Sequence, residues 1–277
     1  MFEASYITKA VAATVCALSL VLLWRRRRAG APKFALVSAA AFFFGGLCAA
    51  CIGAILEGAF NDLRSGVAWM AMLVATQLAA AGAWCLGGAL LAAAPLASSE
   101  TDGEESLLRV RVTTFPLLNS NHSAASEPLR LGVVWAATLS AVLFFCAATI
   151  VIFLHGGNRF DLCMTIASYG GIGLAGGALA LFCRHADSRM RRAAVLCLIG
   201  VLVTLVGFLV SSVWLGNLCD KASASLSSAC PLPSWISSDS IYHFALIIAY
   251  SCILFGTQDF LLALEWARIS SAAHSTM

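Results

Sequence analysis

Of 277 residues, 60% are hydrophobic and only 11% are charged, whereas a soluble domain covers itself with roughly 25% charged residues. The mean hydropathy of +0.88 comes from stretches that are apolar on every face, which places them in lipid. The net charge of +3, from 17 basic and 14 acidic residues, is too small for a nucleic-acid partner. The chain therefore reads as an all-α, polytopic integral membrane protein with one helical bundle over residues 1–277 and the lipid bilayer as its first partner.

A helix rises about 1.5 Å per residue, so about 20 apolar residues cross a bilayer. In chain order the spans expected are Tyr6 to Trp24, Phe34 to Leu56, Val67 to Leu91, Leu131 to Leu154, Leu162 to Cys183, Ala193 to Leu218 and Ile241 to Trp266. The first ends on Arg25-Arg26-Arg27-Arg28. A cleaved signal peptide carries its charge before the apolar run, so this one reads as a retained span. The second and third carry rows of small residues at four-residue spacing: Gly45, Ala49, Gly53, and Ala75, Ala79, Ala83, Gly87. Such rows let helices approach closely, the main route to packing in lipid. Gly170, Gly171, Gly173, Gly176 and Gly177 make the fifth span the weakest helix former and the place to expect a local unwinding that lines a cavity.

Orientation follows from the loops. With the amino terminus outside, the cytoplasmic side holds Arg25 to Arg28, Lys33, Arg109, Arg111, Arg130, Arg184, Arg189, Arg191, Arg192 and Arg268; the other side holds Lys9, Arg64, Arg159 and Lys221. That bias is the positive-inside pattern and predicts seven spans, amino terminus out and carboxyl terminus in. The compartment, plasma membrane or endomembrane, is not legible. The longest connection, 92–130, then lies in the cytosol as a disordered loop. Its acidic, hydroxyl-rich stretch Ser98 to Ser106 is a candidate for phosphorylation or for a cytosolic partner. Asn121-His122-Ser123 matches the glycosylation triplet, and a cytosolic placement forbids its use. Cys48-Ala49-Ala50, Ile52, Leu56 and Gly58 recur 98 positions on as Cys146-Ala147-Ala148, Ile150, Leu154 and Gly156. That recurrence raises a duplicated hairpin, spans two and three repeated in four and five.

Most of the 11 cysteines lie in spans, where they act as small hydrophobes; Cys48 and Cys51 form a lone Cys-x-x-Cys pair inside a span, with no second pair or His at metal-ligand spacing. Cys219 and Cys230 differ: both fall in the exoplasmic loop 219–240 with ten residues between them, where a disulfide is expected, with Cys163 as the alternative partner. No phosphate loop, nucleophile elbow or His-Glu-x-x-His is present, so neither catalytic residue nor cofactor nor metal is assigned.

Ionisable and amide groups inside spans are the best pointer to function. Asp259 lies on the small-residue face of the last span with Cys252 and Gly256. Gln258 and Thr257 flank it, and Gln77 lies near mid-span in the third. Asp259 has two readings, an ion or solute pathway or an ion pair with Arg184, Arg189 or Arg192. A second group gathers at the outer rim: Glu57, His155, Asp161, Asp239 and His243, carboxylates with two imidazoles. The leading expectation is a non-enzymatic protein that binds or transports a small or lipid-like ligand through a cavity near spans three, five and seven. The alternatives are a receptor-like scaffold acting through the acidic loop and a lipid-modifying enzyme at the outer rim.

Overall fold

The computed structural model describes residues 4–28, 32–59, 66–94, 126–155, 160–185, 187–215, 232–233, 236 and 238–275. All regular structure among them is helical: α1 (Ala4–Arg28), α2 (Lys33–Ala59), α3 (Val67–Ala93), α4 (Ser126–His155), α5 (Phe160–Arg184), α6 (Ser188–Phe208) and α7 (Ser238–Ser275). Helices α1 to α4, α6 and α7 are long and apolar enough to cross a membrane. The helix starts have local causes. The carbonyl of Pro32 accepts the first α2 bond, from Leu36 N at 3.1 Å. Gly66 precedes α3 with φ of 143°, a conformation that side chains disfavour. Asp187 caps α6, its Oδ1 accepting from Arg189 N at 2.8 Å.

Six helices form a closed ring in the order α1, α2, α3, α5, α6, α7, each packed on the next and α7 returning to α1. Helix α4 stands outside this ring against α3. It buries Ala137, Ala141, Ala148 and Ile152, a stripe of four- and seven-residue steps, and shows Leu131, Leu139, Leu143, Ile150 and Phe153 outward. In water that surface would aggregate; in lipid it costs nothing. The ring encloses one apolar core to which all six helices contribute. Near its middle Phe42, Phe43 and Tyr250 pack edge to face, with Phe42 and Tyr250 centroids 5.5 Å apart. The interior is a packed core.

Small residues set the close interfaces. A Cβ at Gly45 would meet the backbone of Ala79 and one at Gly82 the backbone of Phe42, which joins α2 to α3. Gly87 and Gly177 abut each other's helix backbone, and Gly87 also meets Gly173, joining α3 to α5. Gly200 and Gly256 do the same between α6 and α7, against Ala249 O at 3.0 Å and Ala193 O at 2.8 Å. Gly170, Gly173 and Gly177 of the fifth span thus serve packing against α3: α5 is continuous from Phe160 to Arg184, and no unwinding occurs there. The irregularity lies elsewhere. Helix α6 passes at Leu209 into a π-helical turn that runs to Leu215, with Ser211 Oγ bonded to Phe208 O at 3.3 Å.

These contacts also fix directions. Cys16 faces Gly46 and Lys9 faces Gly53, so α1 and α2 are antiparallel; Ala80 faces Gly170 and Gly87 faces Gly173, so α3 and α5 are parallel. Consecutive helices alternate throughout. The duplicated hairpin does not appear as such: α2 pairs intimately with α3, whereas α4 packs on α3 and α5 takes its own place in the ring.

Candidate functional site

Helix α7 carries four of the five buried side-chain atoms that lack a hydrogen-bond partner among the described residues, and its faces distribute its polar groups. Gly256, Phe260 and Ala263 turn to α6 and the core. Gln258 and Glu265, seven residues apart and so on one face, turn to α1. Asp259 and Trp266, again seven apart, turn to the first turn of α6. At this end of the bundle, the basic end, Arg26 Nε donates to Gln258 Oε1 at 3.0 Å and Arg26 Nη1 to Glu265 Oε2 at 3.4 Å. Across the helix Arg192 Nε stands 3.0 Å from Asp259 Oδ2. Of the partners expected for Asp259, the structure selects Arg192. The contact is one of opposite charges: no hydrogen bond is directed at Oδ2, which is buried without one.

Satisfaction at this end is incomplete. Thr257 Oγ1, Gln258 Nε2 and Glu265 Oε1 are also buried without a hydrogen-bond partner. Thr257 is the informative case, being 1% exposed. Seven hydroxyls inside these helices turn back to the carbonyl four residues earlier, those of Thr14, Ser19, Ser38, Thr76, Thr138, Thr204 and Ser251, and Thr149 and Ser140 bond to side chains of neighbouring helices. Thr257 makes no such bond. A buried hydroxyl with no partner costs about 1–3 kcal/mol, and a helix face holding three such atoms, Thr257 Oγ1, Gln258 Nε2 and Glu265 Oε1, invites a polar ligand group. The Gln258 amide is oriented by Arg26, which requires an acceptor and so leaves the amide nitrogen as the unused donor.

The opposite end of the same seam carries a second tie. Lys9 Nζ of α1 lies 3.0 Å from Asp239 Oδ2 at the start of α7. His243 Nδ1 lies 2.8 Å from the Asp239 carbonyl oxygen, to which it donates, and 3.5 Å from Asp239 Oδ2. Lys9 is buried with its stem against Gly53, a long cation reaching outward from an apolar contact. Asp239 and His243 therefore meet as part of the expected rim group. The side chains of Glu57, His155 and Asp161 lie outside the described residues, as do Cys219, Cys230, Cys163, Asn121 and the acidic stretch 98–106. Among the described residues no three His, Cys, Asp or Glu side chains converge as metal ligands, and the eight described cysteines form no disulfide.

Gln77 sits elsewhere. It is 1% exposed and accepts from Thr149 Oγ1 of α4 at 2.8 Å, with its own Nε2 unpartnered. Toward the basic end, the same three-helix junction is closed by a stack of Trp84, Tyr169 and Phe144, centroids 4.2 and 3.8 Å apart. Ser140 and Tyr169 share a hydrogen bond of 2.6 Å there. Gln77 and Asp259 thus serve different interfaces, α3 with α4 and α7 with α6. Of the helices grouped in the sequence reading, α3 and α5 pack on each other, whereas α7 packs on α6, α1 and, to a lesser extent, α2.

Sequence reading passed over Arg26 and Glu265, which with Gln258 make the α1–α7 tie. Their signal was present in the seven-residue step from Gln258 to Glu265. Thr257 was seen only as a neighbour of Asp259, since nothing in a sequence tells which hydroxyl will lack its usual backbone partner. Comparison of the chain with protein-family models, curated proteins and solved structures finds no match.

Proposed function

We propose that the chain is a seven-span membrane protein, amino terminus out and carboxyl terminus in, that binds or passes a small or lipid-like solute at the α1–α7 seam. The alternating helix directions agree with an odd number of crossings, and α5 counts as the seventh span by its place between α3 and α6. The bias of Arg and Lys toward one end of the bundle supports the orientation.

The observation that carries the functional reading is the set of buried, unsatisfied atoms Thr257 Oγ1, Gln258 Nε2 and Glu265 Oε1 on α7, beside helices tied to it by side chains. Intramembrane groups of this kind are costly and mark pathways or binding sites. Interfaces α2–α3, α3–α5 and α6–α7 are held by backbone-close glycines, which leaves little room to separate. The α1–α7 seam is held at its two ends by Lys9–Asp239 and Arg26–Glu265, contacts that exchange partners more easily than interlocked glycines. A polar headgroup entering there would find the donor of Gln258 and the acceptor oxygens of Thr257 and Glu265.

The test is reconstitution in liposomes with a quenchable fluorescent phospholipid analogue, comparing wild type with Thr257→Val and Glu265→Gln. Lipid exchange above empty liposomes that falls in both variants, with reconstituted amounts unchanged, supports the reading. Exchange equal to protein-free liposomes, together with no retained small or lipid-like ligand in the purified protein, removes it. The scaffold reading would instead be supported by partner capture lost on deleting 98–106.

A further inference from the structure

We infer that the corner joining α5 to α6 at the basic end is a docking surface for the headgroups of anionic phospholipids. This inference is independent of any transport by the bundle.

The corner is short and densely basic. Arg184 closes α5, Asp187 caps α6, and Arg189, Arg191 and Arg192 follow within its first turns; all four arginines are exposed. The corner's one acid is engaged with the helix backbone, Asp187 Oδ1 accepting from Arg189 N at 2.8 Å. No acid lies in the first turn of α6. Arg192 has Asp259 as its counter-charge at 3.0 Å, so the excess positive charge rests on Arg184, Arg189 and Arg191.

Two of these guanidinium groups are placed by aromatic rings. Arg189 lies over Trp266 of α7, 5.9 Å from the ring centroid, and Arg191 over Phe182 of α5 at 4.9 Å. A guanidinium held over a ring by its charge keeps its N–H donors free, and a guanidinium can take phosphate oxygens two at a time. Trp266 is 57% exposed, and an exposed Trp at the end of a span settles at headgroup depth. The stacked arginines therefore stand at the level of lipid phosphates.

The surface below them argues for a lipid over a soluble phosphate. Val195, Ile199, Leu202 and Val206 are exposed along α6 at steps of four, three and four residues, one stripe running into the membrane directly beneath Arg191 and Arg192. A molecule with its phosphate at the arginines would lay its acyl chains on this stripe. Charge complementarity selects the anionic class: a choline headgroup would set its own cation against Arg184, Arg189 and Arg191.

The experiment is native mass spectrometry of the full-length protein in detergent, titrated with equimolar phosphatidylglycerol and phosphatidylcholine. Wild type is expected to retain phosphatidylglycerol preferentially. In Arg189→Gln/Arg191→Gln the preference should fall about five- to thirtyfold, the scale of two lost arginine contacts near a membrane surface. Arg189→Lys/Arg191→Lys, which keeps the charge and loses the fork, should fall between. Glycerol 1-phosphate in millimolar excess should displace nothing. Equal retention of both lipids by wild type, an unchanged preference in the glutamine variant, or displacement by glycerol phosphate would each overturn the inference. Equal retention by wild type overturns the inference even where a variant fails to fold, and the lysine variant, which keeps the charge, serves where the glutamine variant does not fold.

Discussion

A methyl group added at Gly87 or Gly177 has nowhere to go, because each position already touches the backbone of the facing helix. Gly176, one residue away, has open space around its missing Cβ. Gly87→Ala and Gly177→Ala are expected to lower the melting temperature by forcing α3 from α5, at a cost of about 1–3 kcal/mol. Gly176→Ala should be neutral or mildly stabilising, since Ala is the better helix former. Equal effects from all three, measured by thermal unfolding in detergent, would contradict the interface. Thr257 gives a contrasting case. Valine has its shape without the unpartnered hydroxyl, so Thr257→Val should leave stability within about 1 kcal/mol of wild type, and a loss of solute handling would then report on the site alone. At the α5–α6 corner, burial lowers the pKa of His185 below its ordinary 6.5, opposed by the charge of Asp187. The backbone N–H of Asp187, 3.2 Å from His185 Nδ1, needs that nitrogen unprotonated. The unfolded chain therefore takes up the proton first as pH falls. The stability contributed by His185 is full above about 6.5 and is lost as pH drops through the lower folded value. Melting temperature followed from pH 7.5 downward should fall more steeply in wild type than in His185→Gln.

Single helices owe their places to a few contacts each, and the contacts differ in kind. Helix α7 is joined to α6 by the approach of Gly200 and Gly256, and to α1 chiefly by side-chain ties at its two ends. Polar contacts between membrane helices average about 0.6 kcal/mol and reach about 1.7, so no single tie secures the seam. Arg26 is the exception to test, because it serves Gln258 and Glu265 together. Arg26→Gln should destabilise more than Arg192→Gln, whose side chain is 72% exposed and whose loss water and headgroups can offset. A ranking in the opposite order, read from melting temperatures, would show that Asp259 rather than Glu265 is the anchoring carboxylate. Helix α4 illustrates how far pattern alone reads. Its span was legible from Leu131 to Leu154, and the structure gives Ser126–His155. Its place outside the ring was not, because an all-apolar surface suits lipid and a neighbouring helix alike. The same limit hid the π-helical turn at Leu209–Leu215: its residues are as apolar as the helix before it, and only the fit of α6 along α7 distinguishes them.

Across the whole molecule, two ion pairs orient the bundle. Lys9–Asp239 and Arg26–Glu265 join the same two helices at opposite ends, so α1 and α7 run parallel and the start of α1 lies opposite the end of α7. Epitopes placed ahead of α1 and after α7 are expected on opposite sides of the membrane, the first exposed on intact cells and the second only after permeabilisation. Two epitopes on one side would remove the parallel arrangement. A glycan on Asn121 in expressed protein would keep the bundle and invert its orientation.

The amino-acid sequence by itself determined that the chain belongs in lipid, where the helices lie, and which end of the bundle is basic. These follow from local properties: twenty apolar residues must satisfy their own backbone in hydrocarbon, and charged residues stop them. It also marked the rows of small residues, since a glycine every fourth position has the same meaning wherever its partner lies. Partner choice was a matter for the tertiary structure. Arg184, Arg189 and Arg192 were equal candidates for Asp259 until the register of α6 against α7 brought Arg192 to 3.0 Å. Gln77 and Asp259 were equally buried in prospect, yet ring order sent one to Thr149 and the other to the basic end. Hydrocarbon dictates that helices form; which of them touch is decided by the close fit of non-local surfaces, and no window of sequence contains both sides of that fit.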